Sequence, residues 1–155
     1  MLAHILLTLG LVELALLLGA CAYESVVMAP NFEHNIPTSI DAARQFLSRR
    51  TPAHYFRILS PLTQVVLLAA VIAAWRVPSV RFPALVAFGA LVLTEAFTFA
   101  YQYPRLGILF KSSTPQDPAL LRKAAREWAI GNIVRVVLLL LAVLAALRAI
   151  VAGVQ

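Results

Sequence analysis

The stretch AIGNIVRVVLLLLAVLAALRAIV, residues 129–151, decides how this chain folds. A bilayer's hydrocarbon core is ~30 Å thick and takes ~20 helical residues at 1.5 Å each. This run supplies them with only Asn132, Arg135 and Arg148 as strongly polar interruptions. Three further runs have the same character: Leu2–Ala22, Leu59–Trp75 and Phe82–Tyr101. With 61% apolar residues in a chain of 155 and a mean hydropathy of +0.85, there is more apolar surface than one soluble core buries. The chain therefore reads as all-α, a four-transmembrane-helix bundle forming a single integral membrane domain over residues 1–155. No internal repeat is visible.

The first run is expected to stay as a membrane helix. No Lys or Arg precedes it, and Glu13 interrupts it, whereas a secretory signal has a basic start and an uncharged centre. The second run is short and can borrow a turn from Tyr55–Ile58. Arg76–Arg81 is a tight connection with Pro83 opening the third helix. The other two links are long and lie together at the opposite end. In the first, about Tyr23–Ile58, Ser39 is expected to cap a short amphipathic helix with Ile40, Ala43 and Leu47 on one face, lying on the bilayer surface or over the bundle mouth. In the second, Gln102–Trp128, Asp117-Pro118 starts a fourth helix over 118–151 whose membrane part begins at about 129.

The charge of +6 does not indicate nucleic acid, because the basic residues flank apolar runs. Arg44, Arg49, Arg50, Arg57, Arg105, Lys111, Arg122, Lys123, Arg126 and Arg135 belong to the long-link end; only Arg76, Arg81 and Arg148 belong to the other. This bias predicts an inner (cytoplasmic) membrane protein with the long links cytoplasmic and both termini outside. The single cysteine, Cys21, excludes an intrachain disulfide and argues against a Cys-x-x-Cys redox enzyme.

Ionisable groups inside a bilayer face the bundle interior and usually find a partner. Glu13, Gln64, Glu95 and Arg135 fall ~10–15 Å from the long-link end, one on each helix, which predicts a polar layer. The expected structural partnership is Glu95 with Arg135, tying helices 3 and 4 together. Thr94, Thr98, Tyr101 and Arg105 are spaced to share a face of helix 3, with Gln102 beside them. Trp128, Asn132 and Arg135 share one of helix 4, and Glu13 and Glu24 one of helix 1. These faces would converge on a cavity open to the cytoplasmic side, apolar within and polar at its rim, suited to a lipophilic small molecule. Tyr101, Tyr103 and Trp128 also suit an interfacial aromatic belt. Glu24, His34 and His54 have the residue types of an iron or zinc site, but no His-x-x-x-His or Glu-x-x-His spacing accompanies them, so no metal is predicted.

Four local patterns occur in order: Tyr23-Glu24-Ser-Val-Val-Met-Ala-Pro30-Asn31, His54-Tyr55-Phe56, Thr98-Phe-Ala-Tyr101-Gln-Tyr103-Pro104-Arg105 and Trp128-x3-Asn132-x2-Arg135. In these the chain resembles the anthrone-oxygenase-like family of small four-helix membrane proteins, with Phe32 where a tryptophan is expected. The resemblance implies a monooxygenase, acting on a lipophilic aromatic or quinone-like substrate without a conventional cofactor. It gives catalytic roles to Glu24, His34 or His54 as base and to Arg105, Asn132 and Arg135 as stabilisers of an oxyanion. Substrate binding falls to Gln64, Glu95, Thr98, Tyr101, Tyr103 and Trp128. Two other classes stay open. One is a lipid- or quinone-binding or assembly subunit with no activity. The other is a membrane glutathione-transferase-like enzyme, which Arg126-Glu127 and Asn132 loosely echo. Membrane lipid is the expected partner, and Ala69-Ala70 and Ala145-Ala146 permit close packing within a chain or in a homo-oligomer.

Overall fold

The computed structural model describes residues 1–111 and 117–153. In chain order the α-helices are α1 (Leu2–Tyr23), α2 (Ala29–Glu33), α3 (Thr38–Phe46), α4 (Pro52–Ala73), α5 (Pro78–Phe97), α6 (Tyr103–Leu106) and α7 (Pro118–Ala152). Wider π turns at Glu24–Met28, Thr98–Gln102 and Gly107–Lys111 join or extend them. Four continuous helices result, Leu2–Glu33, Pro52–Ala73, Pro78–Lys111 and Pro118–Ala152, each long and apolar enough to cross a membrane. Val12, Leu16, Val65, Ile72, Val86, Leu93, Leu141 and Leu144 point outward. A belt of that composition suits a hydrocarbon environment, so the chain is a membrane helical bundle.

Two of these helices run further than hydropathy predicts, for one physical reason. Proline has no N–H, and its ring collides with the carbonyl four residues back. Before Pro30 and Pro104 the backbone widens by one residue instead of breaking: the Ala29 N–H bonds the Glu24 carbonyl, and the Tyr103 N–H bonds the Thr98 carbonyl. Each is a five-residue step ending one residue before the proline. Link 1 is thereby shortened, and the third helix takes up the start of link 3.

Other ends are set locally. Asp117 caps α7, its carboxylate accepting the Ala119 N–H at 3.0 Å, as the Asp-Pro pair predicts. Thr51 and His54 form a reciprocal cap on α4, which therefore begins at Pro52 rather than near Leu59. Pro78, not Pro83, opens α5, and Pro83 lies inside it. Ser39 does not cap α3; it lies within the helix and donates to the Phe32 carbonyl at 2.7 Å.

Around the bundle, α5 packs on α7, α7 on α1 and α1 on α4, while α4 and α5 meet most loosely. Near the short turn the contacts are small: Ala70, Ala74, Ala84 and Ala149 are buried with Leu7 and Val71. The buried Ala70 and Ala146 thus serve packing inside the chain. At the other end α3 folds over the bundle, burying Ile40 and Ala43 among Phe32, Leu109, Leu121 and Trp128. Arg44 fixes it there, donating from Nε to the Leu109 carbonyl at 2.7 Å and pairing with Asp41 at 3.0 Å.

Gly10 sets the approach of α1 to α4. A Cβ on it would come within 2.7 Å of Leu67 Cδ2, and Leu67 is fully buried. Gly10→Val should lower the thermal midpoint in detergent, by an overpacking cost of ~1–3 kcal/mol. Gly19→Val, at a position where a Cβ meets nothing within 4 Å, should not. Equal midpoints for the two variants would contradict the close α1–α4 contact.

Candidate functional site

A cavity of about 480 Å³ lies at the long-link end, between the π turn of the first span, α4, the third span and α7. Its apolar walls include Met28, Phe32, Phe56, Phe110 and Trp128; its polar lining includes Glu24, Ser60, Gln64, Glu95, Gln102 and Arg135. Pro61 and Phe99, both largely exposed, line it where α4 and α5 are loosest, so it opens sideways toward the belt as well as toward the links.

Arg135 is the centre of the polar group. Its Nη1 lies 3.2 Å from Glu24 Oε2 and 3.1 Å from Asn132 Oδ1, and its guanidinium sits 4.6 Å from the Phe56 ring centre. The expected Glu95–Arg135 pair does not form. Glu24 continues the buried face of α1 after Leu17 and Cys21, and it reaches Arg135 across the α1–α7 contact. Glu95 is half-buried, lines the cavity, and makes no ion pair among the described residues. An intramembrane arginine paired with a carboxylate, an amide and an aromatic face is held in one orientation.

Gln102 and Asn132 extend the network. Gln102 Nε2 donates to Asn132 Oδ1 at 2.8 Å and to the Trp128 carbonyl at 3.3 Å. The Trp128 carbonyl can only accept and Arg135 can only donate, so neither amide can be flipped. Gln102 Oε1, Asn132 Nδ2, Arg135 Nε and Ser60 Oγ then remain buried without a partner. Buried polar atoms ordinarily have partners, and unpaired ones concentrate where a ligand or water belongs. Gly131 makes the arrangement fit: a Cβ there would lie 2.9–3.0 Å from the Gln102 amide.

The sequence-derived candidates divide accordingly. Glu24, Gln64, Glu95, Thr98, Tyr103, Trp128 and Arg135 line the cavity, and Asn132 lies directly behind Arg135. Trp128 is buried against Phe32, ring centres 5.2 Å apart, rather than standing in an outer belt. Tyr101 and Arg105 do not line it. The extra residue of the π turn rotates them off the Thr94–Thr98 face, so that Arg105 stacks on Tyr101 and pairs with Glu127 at 3.0 Å. His34 is exposed and His54 caps α4, so neither joins Glu24. Among the described residues no group of three or more His, Cys, Asp or Glu side chains is placed to share an ion.

Glu13 is buried but does not line the cavity. Its Oε2 is buried without a partner, and helix 1 contributes Glu24 to the cavity instead. Ser60 and Gly131 are site residues that the sequence did not single out, and Phe56 and Gln102 stood in its patterns without an assigned role. The signal for Gly131 was its place beside Asn132 in an otherwise branched, apolar run. Comparison with known protein families, with characterised proteins and with solved structures yields no match.

Removing one member of a buried ion pair costs ~3–5 kcal/mol, because the other charge is left uncompensated. Arg135→Gln should therefore destabilise strongly, and adding Glu24→Gln should recover at least ~2 kcal/mol in a denaturation cycle. Strict additivity would refute the pair. Gly131→Ala gives a test of sign. Helix propensity alone predicts a gain of ~1 kcal/mol, whereas displacement of the Gln102 amide predicts a lower midpoint. A raised midpoint would contradict the Gly131–Gln102 contact.

Proposed function

We propose that this chain is a membrane-embedded oxygenase that takes a lipophilic aromatic, bearing a phenol or carbonyl oxygen, into the cavity beside Glu24 and Arg135. The observation that supports it is the pairing of an aromatic-walled cavity with unpaired buried donors and an acceptor on Arg135, Ser60 and Gln102. Such a site suits a flat apolar body with a polar oxygen at one end. The resemblance in sequence supplies the reaction class.

The chemistry balances with dioxygen as the one co-reactant. A methylene made acidic by flanking rings and a conjugated carbonyl gives a proton to the Glu24 carboxylate, and the electron pair moves onto the carbonyl oxygen. Arg135 stabilises that oxyanion. The anion transfers one electron to dioxygen, the carbon radical and superoxide form a C–O bond, and the proton returns to the peroxide. Loss of water leaves a ketone, so that CH₂ plus O₂ becomes C=O plus H₂O. Closely packed aromatic walls keep bulk water from the anion. The basic bias of the long-link end supports a topology with that end in the cytoplasm and both termini outside.

One observation favours a second reading, binding without turnover. Glu24 is already paired with Arg135 at 3.2 Å, and taking a proton would break that pair. The two readings separate in nanodiscs supplied with an anthrone. Turnover predicts one dioxygen consumed per ketone formed, falling ~10²–10⁴-fold in Glu24→Gln, while quenching of Trp128 fluorescence in a Trp75→Phe background still reports binding. Quenching without oxygen uptake selects the binding role. Neither signal would reject the cavity as the site, and formation of a glutathione conjugate instead would reassign the class.

A further inference from the structure

A second, shallower groove of about 300 Å³ lies on the other side of Phe56, between the first span and α4. Ala20, Tyr23, Met28, Phe46, Leu47 and Tyr55 line it. It faces the outer belt: Tyr23 and Tyr55 are exposed, and Phe46 is 83% exposed at the end of α3. A phenylalanine left this bare beside an apolar groove suits the interface between headgroups and acyl chains.

The rim of the groove is basic. Arg49 and Arg50 lie in the short connection between two lining residues, Leu47 and Pro52, and both are exposed. Neither makes an ion pair among the described residues; the nearest acid in sequence, Asp41, is held by Arg44 at 3.0 Å. An apolar slot on the lipid-facing side, with two exposed and unpaired arginines in the connection between its lining residues, matches one molecule in both halves. We propose that this groove holds an acyl chain of an anionic phospholipid whose phosphate is bound by Arg49 and Arg50. Guanidinium forks suit phosphate oxygens, and arginines near a bilayer surface favour anionic lipid over zwitterionic lipid.

This site is independent of the oxygenase reading but adjoins its cavity. Glu24, Met28, Leu47, Pro52 and Phe56 line both, and Arg135 rests on Phe56 from the cavity side. A chain in the groove would back the ring that orients the guanidinium.

The test is lipid retention by native mass spectrometry, after release from bilayers holding equal phosphatidylglycerol and phosphatidylcholine with identical chains. Wild-type protein should retain phosphatidylglycerol preferentially, by on the order of fivefold for each arginine engaged. Arg49→Gln with Arg50→Gln should abolish the preference, while Arg122→Gln with Arg126→Gln, on the exposed start of α7, should leave it intact. Ala20→Trp, which fills the groove, should reduce retention of both lipids. Equal retention of the two lipids by wild type would overturn the proposal. So would equal loss in both arginine pairs, or full retention in Ala20→Trp. The wild-type preference and the Ala20→Trp result decide it even where the Arg49/Arg50 pair fails to fold.

Discussion

A guanidinium inside a bilayer-spanning bundle constrains everything near it, because it cannot give up its proton and must find acceptors. Arg135 is such a group, 5% exposed, and its acceptors come from two helices. Glu24 arrives from the first span, Asn132 from the preceding turn of α7, and Gln102 adds the third span by donating to Asn132. Phe56 covers the cation from α4. All four spans therefore meet at one charge. The geometry is demanding at the small end too: Gly131 must lack a side chain for Gln102 to lie flat on α7.

π turns adjoin two of these partners and set the direction of one, Gln102. In a regular helix Pro30 and Pro104 would each cost ~3 kcal/mol or more through a lost bond and a ring clash. Widening to a five-residue bond moves the offending carbonyl aside and adds one residue to the turn. At Thr98–Gln102 that residue places Gln102 rather than Tyr101 inward, while Glu24 opens its turn and keeps the register of the buried α1 face with Leu17 and Cys21. At Pro104 the proline penalty is thus relieved by the same local change that brings Gln102 into the site. This agrees with the association of π turns with functional positions.

The same mechanism explains which parts were legible beforehand. The four spans, the Asp117 cap and the Trp128–Asn132–Arg135 face follow from periodicity and composition, and all three are present in the structure. The partner of Arg135 was not legible. Glu95 and Glu24 are both carboxylates near the long-link end, and which of them reaches the guanidinium depends on how α1 and α5 each pack on α7. Counting at 3.6 residues per turn misplaced Tyr101 and Arg105, since the residue inserted at Thr98–Gln102 rotates everything after it by ~100°. Gln102 and Gly131 act as a pair from different helices, and no pattern along one segment exposes such a contact. The role of His54 was hidden by its chemistry: a ring that reads as ligand or base is used as a helix cap.

The uneven packing of the bundle accounts for the cavity's location. Near the short turn the helices meet through alanines, at Ala70, Ala74, Ala84 and Ala149, and small side chains let backbones approach closely. Toward the long links the inward residues are Phe32, Phe56, Trp128 and Arg135, and the π turns widen the backbone there. Helices drawn together at one end and held apart at the other must diverge. The α4–α5 contact, the loosest of the four, is where the divergence opens a gap. The short Ala74–Val77 connection ties those two helices firmly at the far end, so the gap can widen only toward the links. The opening on the lipid side is then a consequence of the same size gradient that holds the bundle together, and α3, anchored by Arg44 to the Leu109 carbonyl, packs beside the cavity on Phe32, Leu121 and Trp128.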